Sequence, residues 1–426
     1  MTAYPSKLNT NSESYASNRA EMLALVDELH ALKVLAGQLS ERRRPRFVER
    51  GQLTPRERLA TLLDPGMPFL ELYGLANYMV DVADREKSVP GASALSGIGF
   101  VNGVRCMIYA SDSGIAAGAM MQKTGEKLRG CLDAALALNL PFIHLVESAG
   151  ANLMKYQVES WAHGGGGFYR LAQLSAAGIP TFVVLHGPST AGGAYFPGMS
   201  DYVIGIKGRG RASLGGAALV RAATGEISDE EELAGAEMHA TTTGSVEYLA
   251  EDDAHGLLMA RDVIGGLGWN NRCPKPERAP YVEPVHDPDD IAGLVPVDYR
   301  RPYDVREVIA RLVDGSEFED FKPRYGASVV CLQAKIFGQA VGIVGNNGPI
   351  DPDGATKAAH FFQLCDQAGM PLILLNNITG YMVGKDYEQA GMIKHGSKMI
   401  QAISNVRVPK ITFYIGASFG AGNYGM

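Results

Sequence analysis

Two apolar segments decide the fold: PFIHLVESAG at residues 141–150 and PLILLNNITG at residues 371–380. Each begins with a proline, continues as a mainly apolar run and ends in a glycine. A short apolar run with such boundaries is typical of a buried strand in a parallel sheet. Pro141 and Pro371 are 230 positions apart, which indicates that the chain contains an internal repeat.

The repeat extends on both sides of these segments. A helical pattern precedes each of them, and a third apolar strand follows each of them and runs into a glycine-rich turn. The matching pairs are the helices at 123–139 and 356–369, the strands at 179–187 and 408–416, and the turns STAGGAY at 189–195 and SFGAGNY at 418–424. Apolar strands that alternate with amphipathic helices predict the α/β class with a mainly parallel sheet.

We therefore predict two tandem copies of one α/β domain. The first copy is expected to span residues 51–270 and the second residues 304–426, after a helical N-terminal extension at residues 1–50. The stretch at residues 271–303 is rich in proline and charge, and it is predicted to be the linker between the copies.

Composition narrows the class of protein. The chain has 426 residues, of which 46% are hydrophobic and 20% charged, as in an ordinary globular protein. A net charge of −7 argues against nucleic-acid binding. The chain has no apolar run long enough to span a membrane and no signal-like start, so we expect a soluble, cytoplasmic protein. The five cysteines show no C-x-x-C spacing, so no metal site is predicted.

The two glycine-rich turns are the candidate site. A strand that ends in a tight turn and opens a helix leaves backbone N–H groups pointing outward, where they bind negatively charged oxygen. Residues without large side chains let a carbonyl oxygen approach those N–H groups, as an oxyanion hole requires. We therefore predict one hole at Gly192 and Gly193 and a second at Ala421 and Gly422.

A serine hydrolase is the rival interpretation, because residues 416–420 read G-x-S-x-G after a strand. Neither an acid nor a histidine follows Ser418 in this chain, so the hydrolase triad cannot be completed there. Ser189 has His239 and His255 downstream, but its turn lacks the required glycine pattern. Both histidines are predicted to be surface or structural residues.

Five segments in order resemble a known family, the β subunits of biotin-dependent acyl-CoA carboxylases, which are carboxyltransferases. The resemblance spans about residues 50–426, and its final segment is most similar to the methylcrotonoyl-CoA and geranyl-CoA branch. The segments are GQLTPRERLATLLDPGMPFLEL at 51–72, VESAGANL at 146–153, STAGGAYFPGMSDYVI at 189–204, ATGEISDEEELAGAEMH at 223–239 and GASFGAGNYGM at 416–426.

The resemblance implies two crotonase-like domains and a transfer of the carboxyl group from carboxybiotin to an acyl-CoA thioester. It assigns one oxyanion hole to each reactant. The implied acyl-CoA residues are Gly192, Gly193, Ser148 and Ala149, and the implied biotin residues are Ala421, Gly422 and Phe419.

The resemblance also implies partners. Biotin would be carried by a separate subunit, and ATP and Mg would act only on the partner biotin carboxylase. Family members form homo-oligomers, usually hexamers, with active sites between subunits. They continue beyond the position of Met426, so the second domain is expected to be incomplete.

Three points stay open on the sequence. The segment at residues 154–170 has four glycines where methylcrotonoyl enzymes carry bulkier residues, so the acyl group is not fixed. A decarboxylase subunit would need the same two holes. A non-catalytic paralogue that only scaffolds a partner is the third possibility, and intact turns argue against it.

Overall fold

The computed structural model describes residues 2–151, 158–162, 165–272 and 279–426. Residue contacts divide the chain into a first unit, residues 29–275, and a second unit, residues 1–28 with 276–426. Part of the glycine-containing segment at 154–170, the last two residues of the segment at 146–153, and Cys273 lie outside the described residues.

The first unit contains most of the helices and eight strands among its described residues. Its strands are β1 (Leu70–Glu71), β2 (Ala94–Val101), β3 (Val104–Ser111), β4 (Phe142–Ser148), β5 (Thr181–Thr190), β6 (Tyr202–Ile206), β7 (Arg211–Ser213) and β8 (Tyr248–Ala250). After α1 (Glu13–Glu41), which begins before this unit, its helices are α2 (Arg44–Glu49), α3 (Pro55–Leu62), α4 (Gln122–Leu138), α5 (Val158–Ala162), α6 (Gly166–Ala176), α7 (Tyr195–Met199), α8 (Ala217–Thr224), α9 (Glu230–Ala234), α10 (Ala236–Met238) and α11 (Asp253–Gly266). Short 3₁₀ turns lie at Ala116–Gly118, Ala191–Ala194 and Trp269–Arg272, and a π turn lies at His239–Thr243.

The second unit repeats part of this order. Its strands are β9 (Phe318–Phe321), β10 (Val329–Ile336), β11 (Gln339–Asn346), β12 (Leu372–Ile378) and β13 (Lys410–Ser418). Its helices are α12 (Ile291–Leu294), α13 (Val305–Ile309), α14 (Pro352–Gln367), α15 (Lys385–Gln389) and α16 (Met392–Asn405). Its 3₁₀ turns lie at Pro288–Asp290, Asp314–Ser316 and Gly420–Gly425.

Each unit is built on one sheet. In the first unit the strand order is β1-β2-β3-β4-β5-β6-β8, and β7 pairs with β5. Strands β3 to β8 pair in parallel, whereas β1, β2 and β3 pair antiparallel. In the second unit the order is β13-β12-β11-β10-β9, with β11, β12 and β13 parallel and the other pairs antiparallel. The predicted α/β class is confirmed, but half of the second sheet's pairings are antiparallel.

The antiparallel part of each sheet includes a hairpin that the sequence interpretation missed. The turn between β2 and β3 is Asn102-Gly103, with φ of 48° and 75°, and the turn between β10 and β11 is Phe337-Gly338, with φ of 50° and 75°. Asn-Gly is a strong hairpin signal because both residues tolerate positive φ. Phenylalanine is not, since a bulky residue rarely adopts positive φ.

An aspartate holds each hairpin turn in place. The carboxylate of Asp64 accepts hydrogen bonds from the backbone N–H groups of Asn102 and Gly103, both at 2.7 Å. The carboxylate of Asp314 accepts hydrogen bonds from the N–H groups of the second turn at 2.8 and 2.7 Å. The same aspartate–backbone interaction therefore stabilises the hairpin turn in both copies. In the second copy it compensates for the positive φ of Phe337, which is unfavourable for a bulky residue.

The repeat predicted from the sequence is present in the backbone. Pairing of β4 with β5 shifts register between Val146 and Ser148, and pairing of β12 with β13 shifts between Asn376 and Ile378. Just beyond these strands, isolated parallel bridges join Met120 to Ala151 and Ile350 to Tyr381. These features keep the 230-residue offset of the two sequence segments.

Part of the predicted linker is packed rather than extended. Residues 276–303 belong to the second unit, and within them Leu294 and Val295 are buried in its core. Residues 1–28 also belong to that unit, where the carboxylate of Glu307 accepts hydrogen bonds from Ser6 and Lys7. The domain boundaries themselves remain a prediction.

Two kinds of feature are absent from the described residues. None of their helices is long and apolar enough to cross a membrane. Nor do they bring three or more His, Cys, Asp or Glu side chains together in a way that could hold a metal ion.

Candidate active site

The first glycine turn lies at the carboxyl end of β5, in the centre of the first unit's sheet. Ala191 starts the turn with a φ of 55°, which is rare for a residue with a side chain. Gly192 and Gly193 follow within the 3₁₀ turn, and α7 begins at Tyr195. N–H groups in the first turn of a helix have no partner within the helix, so this turn can present donors outward.

Backbone conformation does not require glycine at either position of the turn. Neither has positive φ, and Gly192 is exposed. A β-carbon on Gly192 would lie 3.8 Å from the Phe168 ring, which is ordinary contact. A β-carbon on Gly193 would lie 3.2 Å from Oγ of Ser189, which is tight. The fold tolerates a side chain at Gly192, so its absence leaves the outer surface of the turn open.

The second glycine turn resembles the first: it also follows a parallel strand and also begins with a residue at positive φ. It follows β13, and Gly420 begins it with a φ of 60°. Ala421 is exposed, whereas Gly422 is buried, and a β-carbon on Gly422 would lie 2.9 Å from Cδ1 of Ile378. The N–H of Phe419 donates to the carbonyl oxygen of Ile378 at 3.0 Å, which fixes the entry to the turn.

Cross-strand pairing places the two turns identically within their own units. After the register shift, Ser148 of β4 pairs with Ser189 of β5, two residues before Ala191. In the second unit Ile378 of β12 pairs with Ser418 of β13, two residues before Gly420. Each turn therefore leaves its sheet beside the end of the neighbouring parallel strand.

The predicted acyl-CoA residues lie beside the first turn, but their polar groups are occupied. The hydroxyl of Ser148 donates to the carbonyl oxygen of Gly118 at 2.7 Å and accepts from the N–H of Gly150 at 3.1 Å. The N–H of Ala149 donates to the carbonyl oxygen of Ala117 at 3.0 Å. In this structure these two residues shape the loop rather than offer donors.

The predicted biotin residue Phe419 is half exposed, at 47%. Its ring packs edge-on against the ring of Tyr299, with 5.3 Å between centroids. An exposed aromatic face next to the second turn is a suitable surface for a flat ring.

A buried charged network supports the first turn, and the sequence interpretation missed it. Nη1 of Arg58 lies 2.5 Å from Oε2 of Glu147, and Nε of Arg58 lies 3.2 Å from Oδ2 of Asp253. Oδ1 of Asp253 accepts from Nδ1 of His186 at 2.8 Å. Ser113 adds a hydrogen bond to Oε2 of Glu147 at 2.8 Å. The only signal in the strands was that Glu147 and His186 are polar residues within mainly apolar runs.

Burial sets the charge states in this network. Burial, together with the nearby charge of Arg58, lowers the pKa of His186, so the ring is neutral and Nδ1 carries the proton. Burial alone would raise the pKa of Asp253, but the hydrogen bond from His186 and the charge of Arg58 outweigh it and lower the pKa to about 2. The network pairs the Arg58 guanidinium with two acidic side chains, and removal of one member of such a buried network is strongly destabilising.

The structure gives no support to the hydrolase interpretation. Oγ of Ser418 donates to Oδ1 of Asn423 at 2.6 Å, and Ser189 is buried. Both ring nitrogens of His239 have partners, the carbonyl oxygen of Ala212 at 2.8 Å and Oγ1 of Thr243 at 2.9 Å. Within the described residues neither serine is hydrogen-bonded to a histidine, and His239 is structural as predicted.

An apolar cavity of about 460 Å³ lies behind the first turn. Ala194, which follows Gly193, and Pro197, which lies in α7, line one side of it. The rest of the wall includes Leu185, Val220 and Val246. Apolar space therefore adjoins the first turn.

Comparisons with known proteins agree with the sequence resemblance. Residues 47–426 match the carboxyl transferase domain family. The chain is 47% identical to a probable biotin-dependent acyl-coenzyme A carboxylase beta2 subunit of Mycobacterium tuberculosis, over 99% of this chain and 78% of the relative. It is 43% identical to the 3-methylcrotonyl-coenzyme A carboxylase beta1 subunit of the same organism, over 97% of this chain and 77% of the relative.

A solved structure is similar over the whole chain. The beta subunit of geranyl-CoA carboxylase from P. aeruginosa is 47% identical, with a TM-score of 0.93, and the match covers 100% of this chain and 79% of that one. The predicted crotonase-like fold and the predicted family are thereby confirmed.

Proposed function

The chain belongs to the carboxyl transferase domain family, as a carboxyltransferase of the biotin-dependent acyl-CoA carboxylase type, and on this premise we propose a two-hole mechanism. In this mechanism the chain moves the carboxyl group from carboxybiotin on a partner subunit to an acyl-CoA thioester. The turn at Gly192 and Gly193 stabilises the thioester oxygen, and the turn at Ala421 and Gly422 stabilises the ureido oxygen of biotin.

The observation that carries this proposal is the matched pair of turns. Both start with a residue at positive φ, Ala191 at 55° and Gly420 at 60°, two positions after a serine at the end of a parallel strand. Positive φ at a non-glycine residue costs free energy and is kept where the backbone direction matters. Carboxyl transfer develops negative charge on two separate oxygens, so two donor sites suit it.

Backbone donors are sufficient for this chemistry in the proposed mechanism. Carboxybiotin would supply the carboxyl group and a ring nitrogen able to take up a proton, so no side-chain base would be required of this chain. The neighbouring side chains are engaged in structural hydrogen bonds, as those of Ser148 and His239 show. The residues of the turns bind and orient oxygen atoms and exclude water from them.

The surroundings of the turns support the assignment of one reactant to each. The apolar cavity adjoins the first turn through Ala194, and apolar space suits an acyl chain. The aromatic pair Tyr299 and Phe419 lies in the second unit, where Phe419 leads into the second turn, and aromatic faces suit a flat ring.

We propose a branched, unsaturated acyl group as substrate. The named relatives act on 3-methylcrotonyl-CoA and geranyl-CoA, and their identities of 43% and 47% do not separate the two. Partners would be a biotin carboxylase, which uses ATP and Mg, and a biotin carrier. The working form would be a cytoplasmic homo-oligomer with active sites between subunits.

Carboxylation of an acyl-CoA panel tests the proposal. The protein, together with its biotin-bearing partner, is supplied with bicarbonate, ATP and Mg, and acetyl-, propionyl-, methylcrotonoyl- and geranyl-CoA are compared. We expect turnover of at least one branched substrate. Activity only in the reverse direction, from a carboxylated acyl-CoA to biotin, would identify a decarboxylase subunit. Absence of both turnover and CoA binding would identify a scaffold.

Substitutions in the two turns then test whether the turns are required for the reaction. Gly192→Val and Ala421→Val place side chains on exposed positions and are each expected to reduce kcat on the order of 100-fold or more, the usual cost of losing an oxyanion donor. Gly266→Ala is the matched control, because Gly266 ends α11 with no atom within 4 Å of its new β-carbon. Unchanged activity in both valine variants would overturn the two-hole mechanism.

A further inference from the structure

Asn423 lies within the second glycine turn and gathers three hydrogen bonds on one atom. Its side-chain oxygen Oδ1 accepts from Oγ of Ser418 at 2.6 Å, from the hydroxyl of Tyr414 at 3.1 Å and from Nδ2 of Asn376 at 3.2 Å. An amide oxygen can accept from an amide N–H and from hydroxyl groups, and Oδ1 of Asn423 faces one donor of the first kind and two of the second.

The donors come from the two strands that carry the turn. Asn376 belongs to β12 and is fully buried, while Tyr414 and Ser418 belong to β13 and lead into the turn. Oδ1 of Asn376 has no hydrogen-bond partner among the described residues, so Nδ2 is the side-chain atom through which this buried amide is held. Asn423 therefore connects both strand ends to a single residue of the turn.

The first turn has no equivalent of this connection. At the 229-residue offset of the turns, Ala194 stands in place of Asn423 and Leu185 in place of Tyr414. At the 230-residue offset of the preceding strands, Val146 stands in place of Asn376. Ala194 and Leu185 line the apolar cavity instead. The backbone of the two turns is shared, but among the described residues a side chain of the turn itself is hydrogen-bonded to both strand ends in the second unit only.

A hydrogen-bonded support of this kind fixes the direction of the turn's N–H groups. Gly420, with its positive φ, lacks a side chain that could restrain the entry to the turn. Asn423 follows Gly422 directly, so holding its side chain at the strand ends limits rotation of the intervening peptide groups. Catalytic donors have to stay within about 0.5 Å and 10–20° of the productive geometry.

We propose that Asn423 is a positioning residue of the second turn, which acts through Oδ1 to aim the N–H groups of Ala421 and Gly422 at the biotin ureido oxygen. This inference rests on the proposed function and extends it, because it names a side chain that acts on the biotin half of the reaction alone. The chemistry required of residue 423 is that of a hydrogen-bond acceptor; the amide nitrogen has no part in it.

Two substitutions of one residue test that statement. Asn423→Asp keeps an oxygen that accepts all three hydrogen bonds, whereas Asn423→Ala removes it. We expect Asn423→Ala to lower kcat for transfer from carboxybiotin to the acyl-CoA on the order of 10- to 100-fold, since small misplacements of reacting groups have effects of that size. Asn423→Asp is expected to lose less of kcat than Asn423→Ala, since the three hydrogen bonds persist while the new negative charge opposes the charge on the ureido oxygen.

A positioning role predicts that only the biotin half of the reaction is affected, whereas general structural damage would also weaken acyl-CoA binding. The Kd of the acyl-CoA is expected to stay unchanged in Asn423→Ala, whereas the midpoint of thermal unfolding should fall, because Nδ2 of the buried Asn376 loses its acceptor. Asn405→Ala is the control: its side chain is exposed and donates only to the carbonyl oxygen of Gln401, one turn earlier in α16. If Asn423→Ala fails to fold, Tyr414→Phe and Ser418→Ala each remove one donor and should each give a smaller loss of kcat.

The outcomes separate the two levels of inference. Absence of turnover in the unsubstituted protein would remove the proposed function itself. Normal turnover, combined with equal losses in Asn423→Asp and Asn423→Ala or with a weakened acyl-CoA Kd in Asn423→Ala, would overturn the positioning role and leave the proposed function standing.

Discussion

Glu147 lies against Gly187 on the neighbouring strand, so closely that a β-carbon on Gly187 would be 2.5 Å from Cγ of Glu147. The matching pair in the second unit, Asn377 and Gly416, is also too close for a β-carbon on the glycine. In both units a polar side chain near the end of one central strand fills the space that a glycine leaves on the next strand. Each pair lies immediately before a glycine turn.

Gly187→Ala is therefore expected to destabilise the protein. Overpacking of a filled interior costs about 1–3 kcal/mol, and Glu147 cannot move away without disturbing its ion pair with Arg58. Urea denaturation measures the change in the free energy of unfolding. Gly266→Ala, which introduces a methyl group into open space, serves as the reference, and a similar midpoint for both variants would contradict this packing.

Arg58→Ala is expected to lower the free energy of unfolding by about 3–5 kcal/mol. The substitution would leave the carboxylates of Glu147 and Asp253 buried without their cation. Arg44→Ala is the comparison, because Arg44 pairs with Glu41 and Glu57 on the surface, where ion pairs contribute little. Equal effects of the two substitutions, measured by urea denaturation, would show that burial of the network has no energetic importance.

Stability is expected to fall as the pH is lowered from about 6.5. Burial lowers the pKa of His144 to about 3 and also lowers that of His186, so the unfolded chain binds protons in this range that the folded chain does not. Each such histidine contributes a slope of about 1.4 kcal/mol per pH unit. Denaturation of His144→Met at several pH values should show a slope smaller by about one proton. An unchanged slope would mean that His144 takes up its proton in the folded state.

Two buried lysines lie at matching positions of the two units, and their replacement by methionine should change the stability of the protein differently. Nζ of Lys127 donates to the carbonyl oxygens of Ala94 at 2.6 Å and Gly91 at 3.3 Å, whereas Nζ of Lys357 has no acceptor among the described residues. Lys127→Met should destabilise by about 1–3 kcal/mol because it leaves two carbonyl groups unpaired. Lys357→Met should be neutral or stabilising because it removes an unpartnered buried amine. The midpoint of thermal unfolding measures the change in stability of both variants. A lowered midpoint of similar size in both would contradict this difference.

The sequence predicted most of the parallel core. Proline at the start of each apolar run and glycine at its end marked β4, β5, β12 and β13, because a buried strand needs a continuous apolar segment. The antiparallel hairpins were missed although Asn102-Gly103 is a readable signal. The second hairpin could not be found from its turn, since Phe337-Gly338 becomes a hairpin turn only where Asp314 binds its N–H groups.

The sequence by itself determined the family, the α/β class, the repeat and the two glycine turns, because each depends on residues adjacent in the chain. The tertiary structure decided what surrounds those turns. The partners of Arg58 lie 89 and 195 positions away in the chain, and the partner of Asn376 lies 47 positions away. Contacts between such distant residues depend on strand register and on the exclusion of water, neither of which is encoded by any local pattern.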